Sequence, residues 1–498
     1  MSTIRDLLAG VDVLDSSVDL DAPVSWVLHD SRGVTRGDAY VAVPGAKAHG
    51  DAFLAEAHGR GAALLVGTNR EALLPYPAWV LVPDARRALA ILAHNAWGQP
   101  SAAVVLVGIT GTNGKTSTTW ILEAMARAAG LNPGVIGTVN YRYAGRTEPA
   151  PHTTPEAPVL QGILRAMVDA GCDVILMEVS SHALAMHRVL GCQWTLAAAT
   201  NLSPEHLDFH ESMEEYGEIK AHLFVELLPA SRLARAAVLN LDDHWAASLV
   251  ERTPLETLTV STLDRDASVR VREATVSADG IDARVETPAG PLHLRSTLGG
   301  RHNLANIALA AGIACALDWP LDSIEAGVRA CTRIPGRMDP VPNGHGLHVW
   351  VDYAHTPDAL DNAVRAARAM TAGTLWVIFG AGGDRDRAKR PLMGAAVAAG
   401  ADRPVITSDN PRTESPAVIM DEILAGIPED KRDCVVLEED RANAIRLTVA
   451  AASPGDGILV AGKGHESYVE VHGVRTHFDD HEVAAAALAA LGGMAHGA

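Results

Sequence analysis

Along this chain, short all-apolar runs alternate with longer stretches of helical periodicity. Residues 39–43 and 63–66 are strand-like, with an Ala-rich helical stretch between them. From residue 102 the pattern sharpens. Residues 102–107 are apolar almost throughout, as a strand buried on both faces of a parallel sheet must be. A glycine-containing loop follows, then helical periodicity from about Thr116 to Ala129. Residues 174–177 lead to Glu178, and residues 236–239 to Asn240. The rhythm returns after Arg333, in residues 349–352, 375–379, 405–407 and 457–461, each closing at or near Gly, Asp or Lys. Strands alternating with helices predict an α/β protein with doubly wound sheets and ligands at the carboxyl ends of the strands. Residues 258–298 are rich in Val and Thr and partly alternate apolar with polar positions, which predicts a small antiparallel insertion. Residues 304–317 are too short to span a bilayer and read as a core helix. Residues 492–498 read as a loose tail.

A length of 498 residues exceeds one ordinary core and predicts three domains. Trp97-Gly98-Gln99-Pro100 has the composition of a linker, so the divisions fall at 1–98, 99–332 and 333–498. A net charge of -19 with no dense Lys/Arg run argues against nucleic-acid binding and against an anionic membrane surface. The five cysteines are scattered and form no C-x-x-C pair, which fits reduced thiols better than disulfides or a zinc site. Met1 to Asp6 lack the basic-then-apolar layout of a signal peptide. A cytoplasmic monomer without membrane insertion is expected.

The strongest chemical signal is Gly111-Thr112-Asn113-Gly114-Lys115-Thr116, placed after a strand and before a helix. Backbone N–H groups of such a loop ring phosphate oxygens, Lys115 reaches the terminal phosphates, and Thr116 can ligate Mg²⁺. Ile109 stands where the strict phosphate-loop pattern has its first glycine. Mg²⁺ needs further hard oxygens, and Glu178, ending a strand expected beside the loop, is the first candidate. His206 and His210 would lie one turn apart on a helix, a spacing also open to zinc, although no third ligand is evident. Lys220 falls four residues after Tyr216, on one helix face with it. Taken alone it reads as a solvated surface lysine; carbamylation by CO₂ would reverse its sign. Later come Asn303, Arg337 and Asp352. A strand-end Asp352 suits ribose hydroxyls and Arg337 suits phosphate, while each alone is equally a cap, an exposed arginine or a strand-end acid.

These motifs in order resemble the Mur ligases over nearly the whole chain. The resemblance is carried by Asp30-Ser31-Arg32, the loop from Gly111 to Thr116, His152-Thr153-Thr154-Pro155, Met177 to Leu184, Thr200 to His210, Tyr216 with Lys220, Gly380 to Gly394, Asp409-Asn410-Pro411-Arg412 and Gly462-Lys463-Gly464-His465-Glu466. It implies a UDP-sugar-binding N-terminal domain, a central phosphate-loop ATPase and a Rossmann-like C-terminal domain for an amino acid. It implies that Ser31, Ala46, Lys47 and Ala48 contact the UDP-sugar. Thr153, Thr154, Ser180 and Arg188 would hold its peptide arm. Asn303, Arg337 and Asp352 would serve ATP. Lys220 matches the family's carbamylated lysine and joins Thr116, Glu178 and His206 as the metal set. Two positions depart: Met186 stands where relatives often carry Gln, and His152 where some carry Asn.

Asp409-Asn410-Pro411-Arg412 resembles the signature of the branch that uses meso-diaminopimelate, with Arg385, Gly462 and Glu466 as further binders. The chemistry agrees. Diaminopimelate has a distal carboxylate that lysine lacks, and a guanidinium grips a carboxylate through two parallel hydrogen bonds. The expected reaction is ATP-dependent addition of meso-diaminopimelate to UDP-N-acetylmuramoyl-L-alanyl-D-glutamate through an acyl phosphate, in peptidoglycan biosynthesis. The rivals are the same ligase using L-lysine or another diamino acid, a folylpolyglutamate synthetase, and a non-catalytic nucleotide-binding scaffold.

Overall fold

The computed structural model describes residues 2–45, 48–205, 209–263 and 265–494. The chain divides into two compact units. One holds residues 1–270, 286–290 and 308–327; the other holds 271–285, 291–307 and 328–498.

Beside a two-stranded antiparallel pairing of Ser2–Thr3 with Pro23–Val24, the described residues of the first unit contain two larger sheets. The smaller has the strand order Asp15–Ser17, Trp79–Leu81, Leu64–Gly67, Ala39–Val41, Val27–Leu28, with only its first pair antiparallel. Helix Ala85–Ala96 covers it, burying Ala88, Leu89 and Leu92 in one core with Val41, Val66 and Val80. Asp84 caps this helix by accepting from the backbone N–H groups of Arg86 and Arg87, which satisfies two of the donors every helix start leaves open.

The larger sheet runs in the order Arg146–Pro149, Asn140–Tyr143, Pro133–Ile136, Val174–Glu178, Val105–Thr110, Leu196–Ala199, Ala236–Asn240, Glu256–Ser261. From Pro133–Ile136 onward these strands are parallel to their neighbours. Ile109 is fully buried within Val105–Thr110. The strand runs further than the strict phosphate-loop pattern allows for, so its first glycine has no turn to make here. The expected antiparallel insertion does not begin at residue 258, and Val260 and Ser261 pair in parallel with Val269 and Arg270. Glu256–Ser261 pairs parallel to Ala236–Asn240 and extends the parallel sheet, because β-branched content marks a strand without marking its direction. Strands Val269–Val276, Ile281–Thr287 and Gly290–Ser296 follow it.

The second unit has a sheet in the order Asp339–Pro340, His348–Asp352, Gly457–Ala461, Leu375–Phe379, Arg403–Ile406, Val436–Leu437, parallel except for its first pair. It is wound on both faces. Leu375, Val377 and Phe379 point to the core shared with helices Pro357–Met370 and Lys389–Gly400. Ile378, Val349 and Val351 point to the opposite core with helices Arg441–Ala451 and Asp480–Met494. The two-residue period of a strand gives each face its own apolar set. That last helix takes in residues 492–494, which sequence assigned to a loose tail. A hairpin of Tyr468–Val471 and Val474–His477 stands beside this sheet, and Val471 bridges Arg412 in parallel sense.

Candidate active site

The glycine loop closes between strand Val105–Thr110 and helix Lys115–Ala128. Gly111 has φ 137° and Gly114 φ 88°, backbone that L side chains rarely adopt. A Cβ on Gly111 would lie 1.9 Å from Thr200 Oγ1 and 2.8 Å from the Asn201 carbonyl. The loop is held from outside: Thr200 Oγ1 donates to the Asn113 carbonyl at 2.6 Å, and the backbone N–H of Asn113 donates to Asn201 Oδ1 at 3.1 Å. The Thr112 hydroxyl donates to the Ser203 carbonyl and lies 3.2 Å from the Tyr216 hydroxyl. Lys115 folds back over the loop, donating to the carbonyls of Gly111 and Thr112 at 2.8 and 2.7 Å. A helix N-terminus, open backbone and a lysine amine therefore converge, which is what a polyphosphate requires.

Glu178 is where the strand order predicts, since Val174–Glu178 pairs directly with Val105–Thr110. Its carboxylate is buried and accepts from Thr116 Oγ1 at 3.0 Å, from Thr138 Oγ1 at 2.9 Å and from the Thr138 backbone N–H at 3.0 Å. Sequence reasoning missed Thr138. Its signal was faint: a Gly-Thr step after a short apolar strand. Thr116 and Glu178 make a pair of adjacent hard oxygens suited to Mg²⁺. Among the described residues no group of three His, Cys, Asp or Glu could hold a metal by itself. His206 lies outside the described residues. His210 is buried, with Nε2 2.9 Å from Ser181 Oγ.

Lys220 is the clearest departure from a reading of its residue type. It is not a solvated surface lysine but fully enclosed. Its amine donates to the Gly111 carbonyl at 3.0 Å and sits 4.6 Å from the Tyr216 ring centre, the face-sharing that the four-residue spacing predicts. Burial, reinforced by the Lys115 charge, pushes its pKa well below the ordinary lysine value.

Around Glu178 the structure also gathers Thr153, Thr154, Ser180 and Arg188. Thr153 Oγ1 lies 3.1 Å from Thr138 Oγ1. The Thr154 hydroxyl donates to the Glu178 carbonyl and accepts from the Ser180 N–H, so it is committed to scaffold. Ser180 caps helix Ser181–Ala185. Arg188 pairs with Glu156 at 2.7 Å and donates to the Thr154 carbonyl and to Met186 Sδ. The thioether at Met186 thus takes a weak hydrogen bond where an amide would take a stronger one. His152 is exposed, and its carbonyl accepts from the Tyr141 hydroxyl. Farther along this unit, Ser31 is buried and donates to Glu56 Oε2 at 2.7 Å. Ala48 is exposed and its carbonyl accepts from the Gly45 N–H. Ala46 and Lys47 lie outside the described residues.

In the second unit, Asp352 ends its strand. Burial raises its pKa against the opposing pull of Arg337, and its oxygens accept from the backbone N–H groups of Met338 and Ala354 at 2.7 and 2.9 Å. Arg337 lies 5.6 Å from the Tyr353 ring centre. Asn303 is buried and donates to the Gly299 carbonyl. A second constellation follows strands Leu375–Phe379, Arg403–Ile406 and Gly457–Ala461. The Gly383 N–H donates to the Asn410 carbonyl at 2.9 Å, and Arg412 Nη1 donates to the Gly383 carbonyl at 2.7 Å. Thr413 donates to Asp384, and Arg390, wholly buried, clamps Glu414 through both Nη atoms at 2.9 and 2.7 Å. Arg385 is exposed beside them. Asp409 is buried, which alone would raise its pKa, but the charges of Lys463 and Arg441 hold it below the ordinary value. Burial and the Asp409 charge push Glu466 upward. Asp409, Asn410, Pro411, Arg412, Gly462 and Glu466 are thus brought together, and Asn410 Nδ2 donates to Glu466 Oε2 at 3.1 Å. Arg390 and Lys463 were not singled out from sequence, because a buried cation is indistinguishable there from an exposed one.

Comparison with known proteins agrees with this geometry. Residues 109–314 match the Mur ligase middle domain, and residues 336–464 match the Mur ligase glutamate ligase domain. A UDP-N-acetylmuramoyl-L-alanyl-D-glutamate–2,6-diaminopimelate ligase of Geobacter metallireducens is 40% identical, over 99% of this chain and 100% of its own. One from Prochlorococcus marinus is 43% identical, over 93% and 94%. A solved structure of a ligase of the same name superposes with a TM-score of 0.72 at 30% identity, covering 99% of both chains.

Proposed function

This chain belongs to the Mur ligase family, and from that premise we propose that it is an ADP-forming ligase that joins meso-diaminopimelate to UDP-N-acetylmuramoyl-L-alanyl-D-glutamate in cytoplasmic peptidoglycan synthesis. We assign the UDP-sugar to residues 1–98, ATP to 99–332 and the amino acid to 333–498.

The D-glutamyl side-chain carboxylate attacks the γ-phosphorus of ATP, the bond to the β–γ bridging oxygen breaks, and ADP leaves. The diaminopimelate amine then attacks the acyl-phosphate carbon. The C–O bond to phosphate breaks, and the amine loses a proton to leave an amide. Little covalent chemistry falls to the protein, so positioning and charge carry the rate. Lys115 exchanges its two loop carbonyls for phosphate oxygens. Thr116 and Glu178 would hold Mg²⁺, which would neutralise phosphoryl charge there. A second cation near the loop would face the amine of Lys220. Its depressed basicity keeps that amine free to add CO₂, with loss of a proton, and the resulting carbamate presents anionic oxygens instead of a cation. His206 joins this set by resemblance. Arg412 grips the distal carboxylate of the diamine and Glu466 receives its ammonium.

The observation that carries this reading is the meeting of Thr116 and Glu178 at the glycine loop, with the buried Lys220 bound to the same loop. The experiment is phosphate release from ATP with the UDP-linked dipeptide and, in turn, meso-diaminopimelate, L-lysine or no amino acid. Release is expected only with the complete set, strongly with diaminopimelate and weakly with lysine. Lys115→Ala should reduce it by about a hundredfold or more. Equal use of the two amino acids would overturn the assigned specificity, and no release with any set would overturn the ligase reading.

A further inference from the structure

The amine of Lys463 is fully enclosed and serves none of the roles above. It lies between Gly462 and Gly464, whose φ values are 120° and 56°. A Cβ on Gly464 would stand 2.6 Å from Tyr353 Cβ, so the turn passes too close to Tyr353 for any other residue. The turn delivers the lysine inward. An ammonium has three N–H groups and no acceptor. Here it meets three oxygens: Asp409 Oδ1 at 3.0 Å, Asn410 Oδ1 at 3.0 Å and the Tyr468 carbonyl at 2.9 Å. It is sealed from solvent, with two N–H groups hydrogen-bonded and Asp409 as its ion-pair partner.

That arrangement decides which way the Asn410 amide faces. The amide oxygen must meet Lys463, and the Glu470 backbone N–H donates to the same oxygen at 3.0 Å. A flipped amide would set its NH₂ group against two donors. The nitrogen is therefore turned outward, where it donates to Glu466 Oε2 at 3.1 Å. The hairpin strand that carries Tyr468 and Glu470 also holds Arg412, whose N–H donates to the Glu470 carbonyl at 3.1 Å and whose carbonyl accepts from the His472 N–H at 2.9 Å.

We propose that Lys463 is a positioning residue for the amino-acid substrate: without touching it, its ammonium fixes the Asn410 amide, and through that amide the Glu466 carboxylate. The proposal rests on reading this pocket as the amino-acid site. Its effect should therefore fall on one substrate of three.

The test is steady-state kinetics of full-length Lys463→Met with each substrate varied. The KM for meso-diaminopimelate should rise about tenfold or more, the scale of losing a hydrogen bond to a charged group. The KM values for ATP and for the UDP-linked dipeptide should stay within about twofold. A general loosening of the fold would move all three together. If the unpaired Asp409 keeps Lys463→Met from folding, the paired variant Asp409→Asn/Lys463→Met removes both charges and is compared with Asp409→Asn alone. A further rise in the diaminopimelate KM in the pair is expected; equal values would overturn the proposal, as would an unchanged KM in the single variant. A wild type inert toward diaminopimelate would defeat the functional reading first, whereas an active wild type with an unaffected Lys463→Met defeats this inference alone.

Discussion

Arg412 shows what one residue contributes and what it needs from its neighbours. It holds φ 51°, a left-handed backbone that is costly outside glycine, and two backbone hydrogen bonds to the 470–472 segment keep it there. One guanidinium arm is given to the Gly383 carbonyl and Nε pairs with Glu470 Oε1 at 4.0 Å, so a substrate carboxylate would share the guanidinium with Glu470. Lysine has donors but no planar edge. Arg412→Lys should therefore raise the KM for meso-diaminopimelate about tenfold or more while hardly changing the use of L-lysine; competition assays with the two amino acids measure this. Glu414 gives a pH signature. The Arg390 hydrogen bonds, helped by the Asp384 N–H, lower its pKa from 4.5 to about 2. A carboxylate depressed in the folded state adds stability above its ordinary pKa, and that stability fades as pH falls toward the folded value. The urea midpoint of the wild type should exceed that of Glu414→Gln above pH 4.5, and the gap should close as pH approaches 2.

At the scale of elements, the strand-loop-helix from Val105 to Ala128 is almost wholly legible in sequence, because an apolar run, two glycines and a helical period each constrain the backbone locally. Its tightness is not legible. Gly111 is fenced by Thr200 and Asn201, about 90 positions away in sequence. Gly111→Ala should therefore abolish detectable ATP binding by calorimetry, although alanine is the smallest possible addition: the new Cβ meets Thr200 Oγ1 at 1.9 Å on a backbone of φ 137°. The 256–261 strand shows the converse limit. Its composition announces a strand, but its parallel pairing with Ala236–Asn240 depends on a partner that local pattern does not name.

Over the whole molecule, charge is unevenly spent. The chain carries -19, yet Lys115, Arg188, Arg337 and Arg412 are set where anionic substrates are expected, so local cations outweigh global acidity at short range. The same net charge makes copies repel, and light scattering should return the monomer mass of 52.3 kDa; a multiple of that mass would overturn the expectation. No helix among the described residues is long and apolar enough to cross a membrane. Periodicity and glycine placement were enough to determine the α/β class and the strand-loop-helix around Gly111 to Thr116, since each is written in neighbouring positions; the run from Asp409 to Arg412 stood out only through the family resemblance. Which polar groups are sealed from water was decided only by tertiary packing. Lys220, Lys463 and Arg390 look like surface cations in a string of letters, and are buried and partnered because distant strands and turns close over them, removing solvent and leaving their partners to stabilise them.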